Sequence, residues 1–306
     1  MASGSKGVVY AALFGNGAIA VTKFVAAAMT GSSAMLAEGV HSVADTGNQA
    51  LMLLGLKRGD KPPDRTHPFG YGKEVFFWGL VVAIVLFAVG AGVSMYEGIL
   101  HLLHPAELGD PTINYIVLAI AAVFETGATS FAVREFLHRK GERGVVETLK
   151  DSKDPALFVV LFEDSAALAG ILVAAVGVFL AEVTGNPAFD AGASIVIGLI
   201  LAAVSLWLVW ETRSLLVGEA ARTPLVEGVR GVVQGHEAIE RIGKLLTMHM
   251  GPDKILVVLS VDFRSGLSAE DVERAAGELE RTIREEHRSV GWVFIEGESF
   301  AGHVEG

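Results

Sequence analysis

Long apolar segments occupy the first two thirds of this 306-residue chain and restrict the folds it can adopt. A bilayer core of about 30 Å is crossed by a helix of roughly 20 apolar residues. Six segments reach this length: approximately Val8–Met29, Ser33–Leu56, Val75–Leu103, Thr112–Leu137, Pro155–Ala181 and Ala188–Thr212. With 51% hydrophobic residues overall, the chain is too apolar for an ordinary soluble domain. The sequence therefore predicts an α-helical membrane protein with six transmembrane helices.

The loops between these segments differ in charge. Three of the five contain no Lys or Arg, and the other two, which alternate with them, are basic. The basic side chains are Lys57, Arg58, Lys61, Arg65 and Lys73 in one loop, and Arg139, Lys140, Arg143, Lys150 and Lys153 in the other. Cytoplasmic loops carry the excess of Lys and Arg. We therefore expect a multi-pass protein of the cytoplasmic (inner) membrane with both termini cytoplasmic.

The remainder of the chain is less apolar and predicts a second domain. Residues 1–216 form the expected membrane domain, and residues 217–306 form a small cytoplasmic α/β domain. Its predicted elements are a helix at 223–234, strands near 241–250 and 255–263 joined by a turn at 251–253, a helix from Ser268, and a strand at 292–295. This αββαβ order indicates a ferredoxin-like domain. Its modest size leaves a small core, so we expect dimerisation through it.

A stripe of polar side chains interrupts the second apolar segment. Glu38, His41, Asp45 and Asn48 are separated by three, four and three residues, which places them on one helix face. Ionisable groups within a membrane are costly and mark functional sites by default. An imidazole and a carboxylate four residues apart are ligands suited to zinc and neighbouring metals. The alternatives are a polar seam that binds another helix, or a His–Asp pair that satisfies itself.

Other segments carry isolated ionisable residues. Glu163 and Asp164 lie in the fifth segment, but adjacent helical residues point about 100° apart. We therefore expect one to bind an ion while the other accepts a hydrogen bond or carries a proton. Glu125 in the fourth segment fits an interhelical hydrogen-bond anchor better than a ligand. Lys23 in the first segment either neutralises an acid or extends to the membrane interface.

Charge and composition restrict which ligands the chain could bind and which side chains could hold a metal ion. Neutral His41 with ionised Asp45 and Asp164 carries about −2, which matches one divalent cation. Three protein ligands and a water would make an open tetrahedral site, and protons would compete with metal at the histidine. The chain has no cysteine, which excludes thiolate ligands, and its net charge of −11 argues against nucleic acid.

Several motifs together resemble one family. The segment LAEGVHSVAD at 36–45 resembles the second-span signature of the cation diffusion facilitator family. Two further segments resemble that family, namely HPFGYGK at 67–73 and Gly185-Asn186-Pro187 followed by Asp190. The features most similar to its mitochondrial zinc-transporter branch are Asp-Thr-x-Asn-Gln at 45–49, Leu-Phe-Glu-Asp at 161–164 and the long linker 138–155.

The resemblance implies a homodimeric exporter that exchanges metal for protons and alternates between inward-open and outward-open states. It also implies a transport site with two ligands from span two and two from span five, each pair four residues apart. His41, Asp45 and Asp164 match three of these positions, but Val160 occupies the fourth and cannot bind metal. Glu163, Asn48, Gln49 or water is then expected to replace the fourth ligand.

Accessory sites found in some relatives are less well supported. Asp64 and His67 could form one in the basic loop, but Tyr71 stands where relatives can have histidine, and a capping or salt-bridge role is the alternative. The tail offers His249 and Glu296 without a histidine cluster. We expect His249 to be a surface residue, and the tail to dimerise rather than sense metal.

Taken as a whole, the sequence predicts an efflux transporter for divalent metal ions, acting as a metal(II)/proton antiporter and not as an enzyme. The expected ligands are His41, Asp45, Asp164 and Glu163, with Asn48 next. Glu38, Gln49 and Glu125 form a second tier. Zinc is the first expected cargo, followed by cobalt, manganese, iron and cadmium, and no organic cofactor is expected. The alternatives are a membrane metal sensor or scaffold, and an intramembrane metalloenzyme, which the lack of HExxH and GxSxG motifs disfavours.

Overall fold

The computed structural model describes residues 2–105, 110–140 and 155–298. Two compact units account for the chain, one formed by Met1–Arg58 with Glu74–Arg213, the other by Gly59–Lys73 with Ser214–Gly306. In the described ranges, six long helices come first: α1 Ala2–Thr30, α2 Ser33–Gly59, α3 Glu74–Leu103, α4 Pro111–Lys140, α5 Pro155–Thr184 and α6 Ala188–Val217. They correspond to the six predicted segments, with ends extended by a few residues.

Three of these helices are long and apolar enough to cross a membrane. They are α3, the part of α5 from Leu161 to Thr184, and α6. The apolar part of α4, Pro111–Gly127, is shorter. The helix α2, which carries the polar stripe, is not among the three. The prediction of membrane-spanning helices is thus confirmed for three, and for α1, α2 and α4 it stays a prediction.

Small residues let α3 and α6 approach closely. A Cβ atom added at Gly98 of α3 would lie 2.8 Å from the carbonyl oxygen of Ala191 in α6. A Cβ at Gly198 of α6 would lie 3.1 Å from the carbonyl oxygen of Ala91. In lipid the hydrophobic effect does not drive helices together, so they associate through close packing at small residues such as these. α3 also contains a π-helical turn at Leu86–Ala91, a type common near functional positions.

Asp190 at the start of α6 holds the first turn of α2. Its Oδ1 accepts a hydrogen bond from the Ser32 hydroxyl at 2.7 Å, and its Oδ2 accepts from the amide and hydroxyl of Ser33 at 2.7 and 3.0 Å. The Ala34 amide donates to the same oxygen at 3.3 Å. This carboxylate therefore caps a helix distant in sequence and satisfies amides that a helix leaves free at its start. It fixes where α2 begins.

The second unit contains the small α/β fold predicted for the tail. Its elements are α7 Thr223–Gln234, β1 Ile239–Gly251, β2 Lys254–Phe263, α8 Ala269–Glu286 and β3 Val290–Gly297. The sheet order is β1-β2-β3, with β1 antiparallel and β3 parallel to β2. Ser268 and Asp271 form the predicted capping box of α8. The αββαβ order is as predicted. The ferredoxin-like assignment and the domain boundary at residue 217 stay predictions.

The inward face of β1 differs from the sequence prediction. His249 is buried, with 4% of its surface exposed, so its assignment as a surface residue was wrong. It pairs with Ile255 and Thr247 pairs with Val257, both on the core face of β2. Leu246 points the other way and is 60% exposed. The core of this unit therefore includes a histidine on the face of β1 opposite to Leu246.

The basic loop Gly59–Lys73 packs on the sheet of the second unit. The Phe69 ring lies 5.6 Å from the Trp292 ring and 6.4 Å from the Phe294 ring, edge to face in both cases. A Cβ atom at Gly72 would collide with the carbonyl oxygen of Met250. Aromatic pairs with this geometry contribute beyond the area that they bury. This packing was not predicted from the sequence.

Candidate metal site

The polar stripe of α2 is buried as a unit. Glu38, His41 and Asn48 have no exposed surface, whereas Asp45 and Gln49 are exposed by 3% and 7%. The spacing of three and four residues therefore places these side chains on one inward face, as predicted from the helix period. Burying so many polar groups is unfavourable unless partners satisfy them. The contacts of each group distinguish their roles.

Lys23 of α1 pairs with the first of these groups. Its Nζ donates to Oε2 of Glu38 at 2.9 Å and to the Ser42 hydroxyl at 2.9 Å. Both charged side chains are fully buried. Of the two roles left open for Lys23, the structure therefore places it beside an acid and not at a membrane interface. Ser42 was not among the predicted site residues, although its position four after Glu38 was the available signal.

His41 and Asp45 lie side by side without completing a hydrogen bond. The His41 Nδ1 and Asp45 Oδ1 atoms are 3.3 Å apart. Neither ring nitrogen of His41, nor Oδ1 of Asp45, has a hydrogen-bond partner among the described residues. Buried polar atoms are nearly always paired, so three together require an explanation such as an ion or a proton. This is the strongest indication of a cation site.

Two carboxylates of α5 are buried, and one of them, Glu163, contacts the stripe of α2. The Asn48 amide donates to Oε1 of Glu163 at 2.7 Å, and the Glu163 and Asp45 carboxyls are in hydrogen-bonding contact. Asp164 is 6% exposed, and its Oδ2 has no partner within the described ranges. Two carboxylates in contact repel each other unless a proton or a cation lies between them. The α2–α5 boundary therefore favours positive charge.

Glu125 of α4 adds to the negative charge of this region. It is 2% exposed, and its carboxyl lies within Coulombic range of Lys23, Glu38 and Glu163. The acids Glu38, Asp45, Glu125, Glu163 and Asp164 and the base Lys23 are the charged groups of this region. Carboxyl groups outnumber the ammonium group among the described side chains here, so the region attracts cations once these groups lose their protons.

The candidate ligand side chains of α2 and α5 do not converge on one point. Among the residues that the structure describes, no three His, Asp or Glu side chains lie close enough together to hold a metal ion. The side chain of Val160 lies outside the described residues. The assignment of His41, Asp45, Asp164 and Glu163 as ligands, with Asn48 and Gln49 behind them, therefore stays a prediction.

The Asp64 carboxylate is engaged within its own loop. Its Oδ1 accepts hydrogen bonds from the Thr66 amide, the Thr66 hydroxyl and the His67 amide at 2.7–2.8 Å, and its Oδ2 accepts from the Tyr71 hydroxyl at 2.7 Å. These bonds hold the pKa of Asp64 well below its usual range. His67 Nδ1 lies 3.8 Å from Oδ1. The contacts explain Asp64 as the organiser of a turn, and metal binding there stays untested.

Comparison with known protein families gives a match to the transmembrane part of the chain. The family model described as "Cation efflux transmembrane domain" matches residues 9–217. A protein of Xenopus laevis named "Proton-coupled zinc antiporter SLC30A9, mitochondrial" is 32% identical over 280 residues, which cover 89% of this chain and 50% of that protein. This chain therefore spans about half the length of that relative.

Two further relatives cover more of their own length. "Metal tolerance protein C4" of Arabidopsis thaliana is 29% identical over 286 residues, covering 92% of this chain and 61% of that protein. "Manganese efflux system protein MneP" of Bacillus subtilis (strain 168) is 25% identical over 298 residues and covers 95% of each chain. Thus the similarity extends from the long helices into the α/β unit.

Proposed function

The chain belongs to the cation efflux family, also called the cation diffusion facilitator family, and from this premise we propose that it exports divalent metal ions by exchange for protons. The family match and the apolar helices show that it is a multi-pass membrane protein of a metal-transporting family. The observation that supports the proposal further is the buried His41–Asp45 pair, whose two ring nitrogens and Asp45 Oδ1 have no hydrogen-bond partner among the described residues.

The proposed route for the ion runs between α2 and α5. His41, Asp45 and Asp164 supply one imidazole and two carboxylates, a set that neutralises one divalent cation. Asn48 holds Glu163 beside Asp45, so Glu163 is available as fourth ligand or as proton carrier. The burial of all four groups keeps water out and strengthens their attraction for a cation.

Proton exchange follows from the ligand types. A proton and a metal ion use the same lone pair of the His41 ring, so protonated His41 neither binds a metal nor tolerates a nearby cation. A proton arriving at this site from the opposite side of the membrane would therefore help release the metal. Glu163 and Asp45, whose carboxyls are in contact, could share such a proton. Protons and metal then compete for the same buried acceptors.

Zinc is the first proposed cargo. One relative is named as a zinc antiporter and another as a manganese efflux protein, so the family admits both ions. Imidazole suits zinc, copper, iron and nickel, whereas manganese prefers oxygen ligands. A site with one imidazole among carboxylates therefore accepts zinc more readily than manganese. Cobalt, iron and cadmium accept the same donors and belong in any assay.

The number of spans, their orientation in the membrane and the oligomeric state are proposed from the same family membership. The chain has six spans with both termini cytoplasmic in a cytoplasmic membrane, and it acts as a homodimer. The basic loops on one side and the loops without Lys or Arg on the other support this orientation.

The test is metal uptake into proteoliposomes loaded with a metal-sensitive dye. Zinc, manganese, cobalt, iron and cadmium would each be measured with and without an imposed pH gradient. We expect zinc uptake to rise when the liposome lumen is the more acidic side, because protons then leave the lumen as zinc enters it. Equilibrium binding without flux would overturn the proposal and favour a membrane metal sensor. Flux that does not respond to the pH gradient would support metal transport and contradict proton exchange.

A further inference from the structure

Lys23 is a fully buried cation that is not a metal ligand. Its exposed fraction is 0%, and its Nζ bonds to Glu38 of α2 at 2.9 Å. The partner is itself fully buried. Taking two charges out of water costs several kcal/mol per ion, so a buried ion pair is weak evidence of stabilisation. A pair at this depth in a membrane protein calls for a functional explanation.

Glu38 lies beside the candidate ligands of α2. It lies three residues before His41 on the same buried face of α2. Only its Oε2 is bonded, while Oε1 has no hydrogen-bond partner in the described part of the chain. That free oxygen packs against Gly170 of α5, the helix that carries Glu163 and Asp164. Glu38 therefore has an unused acceptor at the same helix boundary as the candidate site.

The charge of Lys23 also reaches the candidate ligands. Its second hydrogen bond goes to the Ser42 hydroxyl, adjacent to His41 in sequence. The ammonium lies within Coulombic range of His41, Asp45 and Glu125. A fixed cation so placed opposes the entry of a second positive ion and reduces the attraction for the first. It thereby limits how tightly the region can hold metal.

We propose that Lys23 is an internal counter-cation that withholds Glu38 from the metal ion and keeps the transport site weak enough to release its cargo. This inference rests on the proposed function. A transporter needs an affinity that permits release, and a fifth available carboxylate beside His41 would oppose it. Lys23 is thus a positioning residue that lowers metal affinity through its charge and through its hold on Glu38.

The proposal predicts opposite effects for the two partners. Lys23→Met frees Glu38, so zinc should bind about tenfold or more tightly while turnover falls. Glu38→Gln leaves the ammonium without its carboxylate partner, so zinc should bind about tenfold more weakly. The double variant Lys23→Met/Glu38→Gln removes both charges, and its affinity should return to within about threefold of wild type. Lys57→Met removes an exposed lysine of α2 and should change neither quantity.

The experiment measures zinc affinity by competition calorimetry at pH 8 on the full-length purified chain, with flux measured in proteoliposomes. Weaker binding in both single variants would indicate a merely structural pair and overturn the inference, as would unchanged binding in both. If Lys23→Met does not fold, the comparison of Glu38→Gln with the double variant decides, because the inference requires the second substitution to restore affinity. Zinc binding lacking in wild type would instead overturn the proposed function itself.

Discussion

At the scale of single residues, hydrogen bonding separates the buried polar side chains into two groups. Lys23, Glu38 and Asn48 each make at least one side-chain hydrogen bond, although Oε1 of Glu38 and Oδ1 of Asn48 have no partner among the described residues. His41 and Asp164, in contrast, present buried acceptors that have no partner among the described residues. An unpaired buried acceptor is costly in the metal-free state and becomes favourable when a cation arrives. The second group is therefore the better place to look for metal ligands.

Val160 allows a gain-of-ligand test. It lies four residues before Asp164, so an acid there would share a helix face with it. We predict that Val160→Asp increases zinc affinity by about tenfold or more, equivalent to about 1.4 kcal/mol, and slows transport because release becomes limiting. Competition calorimetry and dye-loaded proteoliposomes measure the two effects, with Val160→Asn as the uncharged control. Unchanged affinity would mean that Glu163 or another group already fills the fourth position.

The sequence predicted the residues of the stripe but not their pairing. The spacing of Glu38, His41 and Asp45 sets one helix face, because the period of a helix is fixed. Which groups pair across helices depends on the relative height and rotation of the helices, which no local spacing encodes. The partnership of Lys23 with Glu38 and of Asn48 with Glu163 therefore required the structure.

At the scale of elements, the carboxylate of Asp190 ties the start of α2 to α6. Asp190→Ala would leave buried hydroxyl and amide donors of Ser32 and Ser33 without their acceptor. We predict a loss of about 2–4 kcal/mol in stability and weaker zinc binding, because α2 carries His41 and Asp45. Thermal unfolding in detergent measures the first effect. Asp110→Ala, which removes an exposed cap of α4, is the control and should barely change Tm. Equal effects of the two substitutions would contradict the positioning role.

The loop organised by Asp64 should respond to acid. Hydrogen bonds from Thr66, His67 and Tyr71 lower the pKa of Asp64 below that of the unfolded chain. The Asp64 carboxylate therefore binds a proton less readily in the folded loop than in the unfolded chain. The hydrogen-bonded conformation of the loop is stable at neutral pH and is lost progressively as the pH falls below about 4. Hydrogen exchange of the Thr66 and His67 amides, expressed as protection factors, measures this. Asp64→Asn should remove the pH dependence and Asp60→Asn should not. The same acid response in both variants would contradict the assignment.

Element positions were predictable where period and caps agree. The α8 start at Ser268 and Asp271 and the turn between β1 and β2 follow from local chemistry. The packing of Phe69 on Trp292 did not follow, because the loop and the strand are more than two hundred residues apart in sequence. The burial of His249 was likewise unpredictable, because each face of β1 carries both polar and apolar residues.

At the scale of the whole molecule, the lack of cysteine in the sequence makes the predicted topology easy to test. Single cysteines introduced at Lys61 and Lys153 should react with a membrane-impermeant maleimide only from the cytoplasmic side. Cysteines at Asp110 and Asn186 should react only from the other side. This pattern follows from the placement of Lys and Arg in alternate loops. Labelling of all four positions from one side would contradict the six-span arrangement.

The most direct measurement of the central claim combines flux and binding in three variants of the full chain. Asp45→Asn and Asp164→Asn remove one proposed ligand charge each, whereas Glu125→Gln removes a buried charge outside the proposed ligand set. Zinc uptake driven by a pH gradient and zinc affinity would be compared with wild type in the same lipid. We predict that both aspartate variants lose uptake and bind zinc at least about a hundredfold more weakly, while the Glu125 variant keeps most of both. Uptake that survives in the two aspartate variants would contradict a transport site between α2 and α5.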